Sequence, residues 1–142
     1  MPSYQINFES KLTAFQFDES IIGRIAELIL LNEKITEALV NIVFVDDEFI
    51  INLNKEFLHK ETTTDVISFT LEKNSEKGFL EGEVYANLEQ VRRQAQDYDV
   101  SWQNELLRIV IHGVLHLTGY DDQSVEEKKQ MTEKEDFYLS LI

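Results

Sequence analysis

Residues 101–122 read SWQNELLRIVIHGVLHLTGYDD, and the rest of the chain is organised around them. From Ser101 to Leu117 the apolar residues recur at helical spacing, and Gly119 stands where a left-handed residue closes a helix. Trp102, Leu106, Val110, Gly113 and Leu117 fall on one side, the expected core face. Glu105, Arg108, His112 and His116 share another stripe. A helix this apolar does not suit a surface, so it is expected at the centre of the fold. Gly113 costs about 1 kcal/mol in mid-helix relative to Ala, which points to a packing or access reason for it.

Outward from this helix, strands and helices are interleaved. Tyr4 to Phe8 alternates and suits a short strand; Asp18 to Leu31 reads as a helix capped by Asp18. Ala38 to Val45 is β-rich and reads as a buried strand. Asp46 to Leu58 follows as a helix with Phe49, Ile50, Leu53 and Phe57 on one face. Val66 to Leu71 is a strand paired with Glu83 to Asn87 around a loop at Gly78, and Leu88 to Tyr98 is an amphipathic helix. Ser124-Val125-Glu126-Glu127 has the capping-box form and opens a last helix towards Leu141. The class is therefore α+β: one small mixed sheet of about four strands packed with about five helices. With one Pro, at position 2, five Gly and no low-complexity stretch, residues 1–142 are expected to form a single domain.

The composition narrows the chemistry. There is no Cys, so disulfides and thiolate metal sites are excluded, and any metal must sit on imidazole and oxygen ligands. No apolar run approaches the roughly 20 residues of a membrane span. The start, Met1-Pro2-Ser3-Tyr4-Gln5, lacks the pattern of a signal peptide, and the cytoplasm is the expected location. A formal net charge of −14 argues against strong, non-specific binding to RNA or DNA, because phosphate neutralisation supplies most of such affinity.

Two of the three His in the chain are His112 and His116. Four residues apart on a helix, they are offset by about 40° and about 6 Å, so both imidazoles can reach one ion. After Gly119 the turn carries Asp121 and Asp122. A carboxylate there either completes a two-His, one-carboxylate triad with an open position or serves only the turn and the next helix cap. The residue after His112 is Gly113, where the zinc peptidases with this His spacing carry their general-base Glu, so a peptidase is disfavoured.

His112 to Asp121 matches every fixed position of His-Gly-x-Leu-His-Leu-x-Gly-Tyr-Asp-His, the signature that the YbeY family of bacterial endoribonucleases carries. The resemblance extends over Leu53-Asn54, Thr64-Asp65-Val66-Ile67-Ser68-Phe69, Gly82-Glu83-Val84 and the Met131–Glu135 spacing. It implies a metal-dependent, single-strand endoribonuclease of ribosomal RNA maturation, in which metal-activated water attacks the phosphodiester. The implied ligands are His112, His116 and Asp122, holding one Zn²⁺ or another divalent transition metal. Asp122 stands where the family has its third His; it keeps an oxygen donor and adds negative charge.

A second departure is Leu58, aligned with an Arg of the family thought to face the site. His59, Lys60 or Arg108 are the nearby replacements for that cation. Asp65, Ser68 and Glu83 are candidate bases on the strands, and Asp65 alternatively orients a ligand imidazole; Asp65, Ser68 and Arg108 are the catalytic candidates. Two other readings stand beside the nuclease: a metal-binding ribosome-assembly factor that cleaves little or nothing, and a metallohydrolase of another phosphoester. Expected partners are ribosomal RNA or ribosome-associated proteins, with no membrane and no DNA.

Overall fold

The computed structural model describes residues 1–12 and 17–142. Strands β1 (Ser3–Ser10), β2 (Glu37–Val45), β3 (Val66–Asn74) and β4 (Phe79–Asn87) form one mixed sheet in the order β1-β2-β4-β3. β1 and β4 both run parallel to β2, and β3 returns antiparallel along β4 as a hairpin. Helices α1 (Glu19–Asn32), α2 (Asp47–Leu53), α3 (Leu88–Asp97), α4 (Trp102–Thr118) and α5 (Val125–Leu139) complete it, with a π-helical turn over Asn54–Leu58.

Alternation along β2 and β4 decides what each face meets. Val40, Ile42, Phe44, Leu80 and Val84 are fully buried in the main core with Ile25 and Ile29 of α1 and Val110 and Val114 of α4. On the opposite face, among the described residues, α2 lays Ile50 on Val43, Val45 and Ile67. Burial on both faces explains why the end of β2 reads as a continuous apolar run (Ile42-Val43-Phe44-Val45).

α4 is the central helix. It packs against β3, β4, α1, α3 and α5, and nine of its 17 residues are buried. Gly113 is what lets it approach the sheet. A Cβ there would lie 2.5 Å from Val84 Cγ1 and 3.0 Å from Val66 Cγ2, so any larger residue would lever the helix off β3 and β4. The Ser68 hydroxyl donates to the Gly113 carbonyl at 2.8 Å across the same contact.

The helix expected over Asp46–Leu58 differs in its last turn. α2 ends at Leu53, and a π turn follows in which the His59 N–H bonds to the Asn54 carbonyl. The wider turn breaks the 3.6-residue register, so Phe57 leaves the stripe of Phe49, Ile50 and Leu53 and is 53% exposed. Buried Asn54 anchors the turn by donating its side-chain amide to the Thr62 carbonyl at 2.6 Å.

Candidate metal centre

α4 carries His112 and His116 on its last two turns and stops at Gly119, whose φ of 116° suits glycine. The N–H of Gly119 bonds back to the His116 carbonyl and that of Tyr120 to the Leu115 carbonyl, which turns the chain sharply over the helix end. Asp122 is thereby returned to the imidazoles. Its Oδ2 lies 3.1 Å from His112 Nε2 and 3.6 Å from His116 Nε2, and the two Nε2 atoms are 3.0 Å apart.

This triangle tests the fit of a metal. Ligands about 2.0–2.1 Å from a tetrahedral zinc are separated by about 3.3–3.4 Å. The three observed edges, 3.0, 3.1 and 3.6 Å, bracket that separation. Among the described residues these three side chains are the one group of His, Asp or Glu able to hold an ion in this way. Two nitrogens and one oxygen suit a borderline divalent metal and leave a fourth position open.

A further layer of groups holds the triad. Glu135 of α5, 7% exposed, places Oε2 2.6 Å from His112 Nδ1. That contact keeps the proton on Nδ1 and leaves the Nε2 lone pair for a metal. Arg108 donates to Glu135 at 3.0 Å and to Asp136 at 2.7 Å, so its guanidinium is spent on fixing the carboxylate. Burial alone would lower the pKa of His112. The Glu135 hydrogen bond and charge, helped by Asp65 and Asp122, outweigh it and raise the pKa above the ordinary value.

The turn itself is tied to distant elements. Tyr120 and Tyr138 donate their hydroxyls to the two oxygens of Glu33, at 2.8 and 3.1 Å, and Lys134 lies 3.4 Å from the same carboxylate. Both phenols are raised in pKa, Tyr138 to about 12, by burial first and then by the Glu33 charge and hydrogen bond.

Two cavities meet at the triad. A groove of about 720 Å³ is lined by His112, His116 and Asp122 together with Asp65, Ser68, the Thr62–Thr64 segment, Leu58 and Lys60. A second, of about 320 Å³, opens beside Glu105, Arg108 and Lys128. Asp65 lines both. Ser68 lines the groove with its hydroxyl engaged on α4. Lys60 and Leu58 reach the groove, whereas His59 does not line it and closes the π turn with a left-handed φ of 54°. Glu83 is not at the site. Its neighbours Gly82 and Val84 face α4, so strand alternation turns Glu83 to the opposite face of the sheet, where Tyr85 donates to it at 3.2 Å.

The spacing of His112 and His116 made the pair visible in the sequence, and the family resemblance picked Asp122 from the two aspartates of the turn. Glu135 was visible only as a motif residue, and Glu33 not at all, since its partners lie 87 and 105 residues away.

The family model described as Endoribonuclease YbeY matches residues 5–142. An Endoribonuclease YbeY of Chloroherpeton thalassium is 41% identical over 133 residues, covering 94% of this chain and 92% of that protein. One of Flavobacterium psychrophilum is 37% identical over 140 residues, covering 99% and 94%. Among solved structures, the solution structure of TM1509 from Thermotoga maritima superposes with a TM-score of 0.65 at 29% identity, covering 96% of this chain and 87% of that one.

Proposed function

The chain belongs to the YbeY endoribonuclease family, and from that premise we propose that it is a metal-dependent endoribonuclease of single-stranded RNA. It acts in the cytoplasm in ribosomal RNA maturation, with His112, His116 and Asp122 holding one zinc ion. The observation that carries this is the convergence of three donor atoms in the wall of an open groove.

A bound zinc supplies Lewis-acid activation of water and of a phosphoryl oxygen. The chain does the rest. Glu135 holds the proton on His112 Nδ1 and fixes the plane of the ring, and Arg108 holds Glu135. Asp65 lines the groove beside His112 and Asp122, and its carboxylate makes no hydrogen bond to another described residue. It is the base that takes the proton of the attacking water. Ser68 seats α4, and thereby both imidazoles, on the sheet.

Leu58 favours a second reading. It stands on the groove wall where a cation would meet phosphate, and the chain carries a net charge of −14. A ribosome-assembly factor that binds metal and cleaves little would have this surface.

Metal content and cleavage of a labelled single-stranded RNA separate the two. About one zinc per chain, lost in His112→Ala, together with cleavage that a chelator stops and zinc restores, is the expected result. Stoichiometric zinc without cleavage would leave the assembly factor. Full metal retention in His112→Ala would overturn the ligand set.

A further inference from the structure

Residues Asp65 to Thr70 line the groove without interruption. Side chains alternate across a strand, so an unbroken run along one groove means that β3 presents its edge there and not a face. Two of these residues make the point. Ile67 packs with Val43, Val45 and Ile50, and the Phe69 ring packs on Tyr85, both on the sheet face opposite α4. What they give to the groove is backbone.

β3 is the last strand of the sheet, and β4 is its one neighbour. The Asn87 N–H bonds to the Asp65 carbonyl at 2.8 Å, one step beyond the Val66–Ala86 pair of the register. Hydrogen-bonded pairs alternate along an antiparallel ladder, so Ile67 and Phe69 also turn their N–H and C=O towards β4. Val66, Ser68 and Thr70 turn theirs outward, where no further strand of the described residues meets them. Free edges are commonly blunted by bulges or charged side chains. β3 is blunted only past the groove, where the register shifts between Thr70 and Glu72 and Glu72-Lys73 follow. Along the groove the edge reads Val66-Ile67-Ser68-Phe69-Thr70, with neither device.

The groove offers phosphate little else. Lys60 is the one Lys or Arg among its lining residues, set against Asp65 and Asp122, and the net charge is −14. A sheet edge binds anions through neutral N–H groups, so it needs no cation. Outward-facing residues recur about every 6.8 Å, on the scale of one nucleotide in an extended strand.

Resting on the nuclease reading, we infer that the free edge of β3 holds the sugar–phosphate backbone of RNA beside the metal triad. The N–H groups of Ser68 and Thr70 donate to phosphate oxygens, and the carbonyls of Val66 and Ser68 accept from 2′-hydroxyls. DNA lacks that hydroxyl, so the edge that positions the strand also selects RNA.

The test measures binding of a fluorescein-labelled single-stranded oligoribonucleotide to the zinc-loaded full chain by anisotropy. A fully 2′-fluoro strand of the same sequence cannot donate from its sugars and should bind at least about fivefold more weakly, as should DNA. Thr70→Pro removes one outward N–H without touching the ladder, which edge strands tolerate. It should weaken RNA binding about tenfold and leave zinc content unchanged, while Thr70→Val, which keeps the N–H, binds as wild type. Equal affinity for RNA and the 2′-fluoro strand, with Thr70→Pro binding as wild type and RNA still cleaved, would overturn the edge and leave the nuclease standing. A wild type that neither binds nor cleaves RNA would overturn both. Binding of an alternating Lys-Val octapeptide in place of RNA, lost in Thr70→Pro, would give the edge to a protein segment and overturn the inference. Should Thr70→Pro fail to fold, the 2′-fluoro comparison on the wild type decides alone.

Discussion

Glu135 is the residue on which the metal centre depends without touching the ion. Its carboxylate lies 2.6 Å from His112 Nδ1 and is itself held by Arg108. Glu135→Gln keeps the shape but offers a weaker, uncharged acceptor that can also turn its amide to the ring. Zinc affinity should fall about 10- to 100-fold, read by competition with a chelating dye. An unchanged affinity would show that α4 alone orients the ring. His112 and His116 were legible because helix periodicity fixes their relation within a few residues. The turn that Gly119 announces left Asp121 and Asp122 both open, and Asp122 was singled out only by the family resemblance. Glu135 was marked by its spacing from Met131, but its role comes from packing α5 against α4, which no local pattern encodes. Glu83 misled for a related reason: a one-residue difference in strand register reverses the face a side chain serves, and the sequence around Gly82 does not state which face is the site.

Among elements, the union of α2, α3 and the 62–65 segment depends on Asp47. At the first turn of α2 its carboxylate accepts from Arg93 at 2.7 and 2.9 Å, from Asn87 at 2.7 Å and from Thr63 at 2.8 Å. The Arg93 hydrogen bonds come first in holding its pKa well below the aspartate range, with Asn87 and Thr63 adding to them against the cost of burial. A carboxyl depressed on folding stabilises fully above its unfolded value, near about 3.9, and loses that contribution as the pH falls further. Asp47→Asn should therefore cost about 1–2 kcal/mol at neutral pH, and its difference from wild type should shrink below about pH 4, followed by urea unfolding. A difference independent of pH would assign the effect to hydrogen bonding without charge. Periodicity placed all five helices and four strands, with most boundaries within a few residues. It missed the π turn, because Phe57 continues the apolar spacing of α2 and only the anchoring of Asn54 on Thr62 forces the wider coil.

For the molecule as a whole, the acidic excess and the mixed sheet are managed separately. The core is built by β1, β2 and β4 with α1 and α4, while charge is left to exposed faces and to the few pairs around the site. The Glu33 carboxylate has a consequence for how the molecule breathes. It joins the end of α1, the ligand-bearing turn and α5 through two phenols and a lysine. A six-residue turn at a helix end would otherwise open in isolation, many times for each global unfolding. Tied through Tyr120 to a carboxylate that Tyr138 and Lys134 of α5 also hold, it is expected to open with the slowest unit. The Tyr120 amide, bonded to the Leu115 carbonyl, should exchange with solvent deuterium nearly as slowly as amides in the middle of α4, and Glu33→Gln should speed it selectively. Glu33→Gln is therefore expected to shorten the residence time of a zinc ion held through Asp122, read as its rate of release to a chelating dye, so that a glutamate at the end of the first helix would set how long the ion stays as well as how tightly it binds.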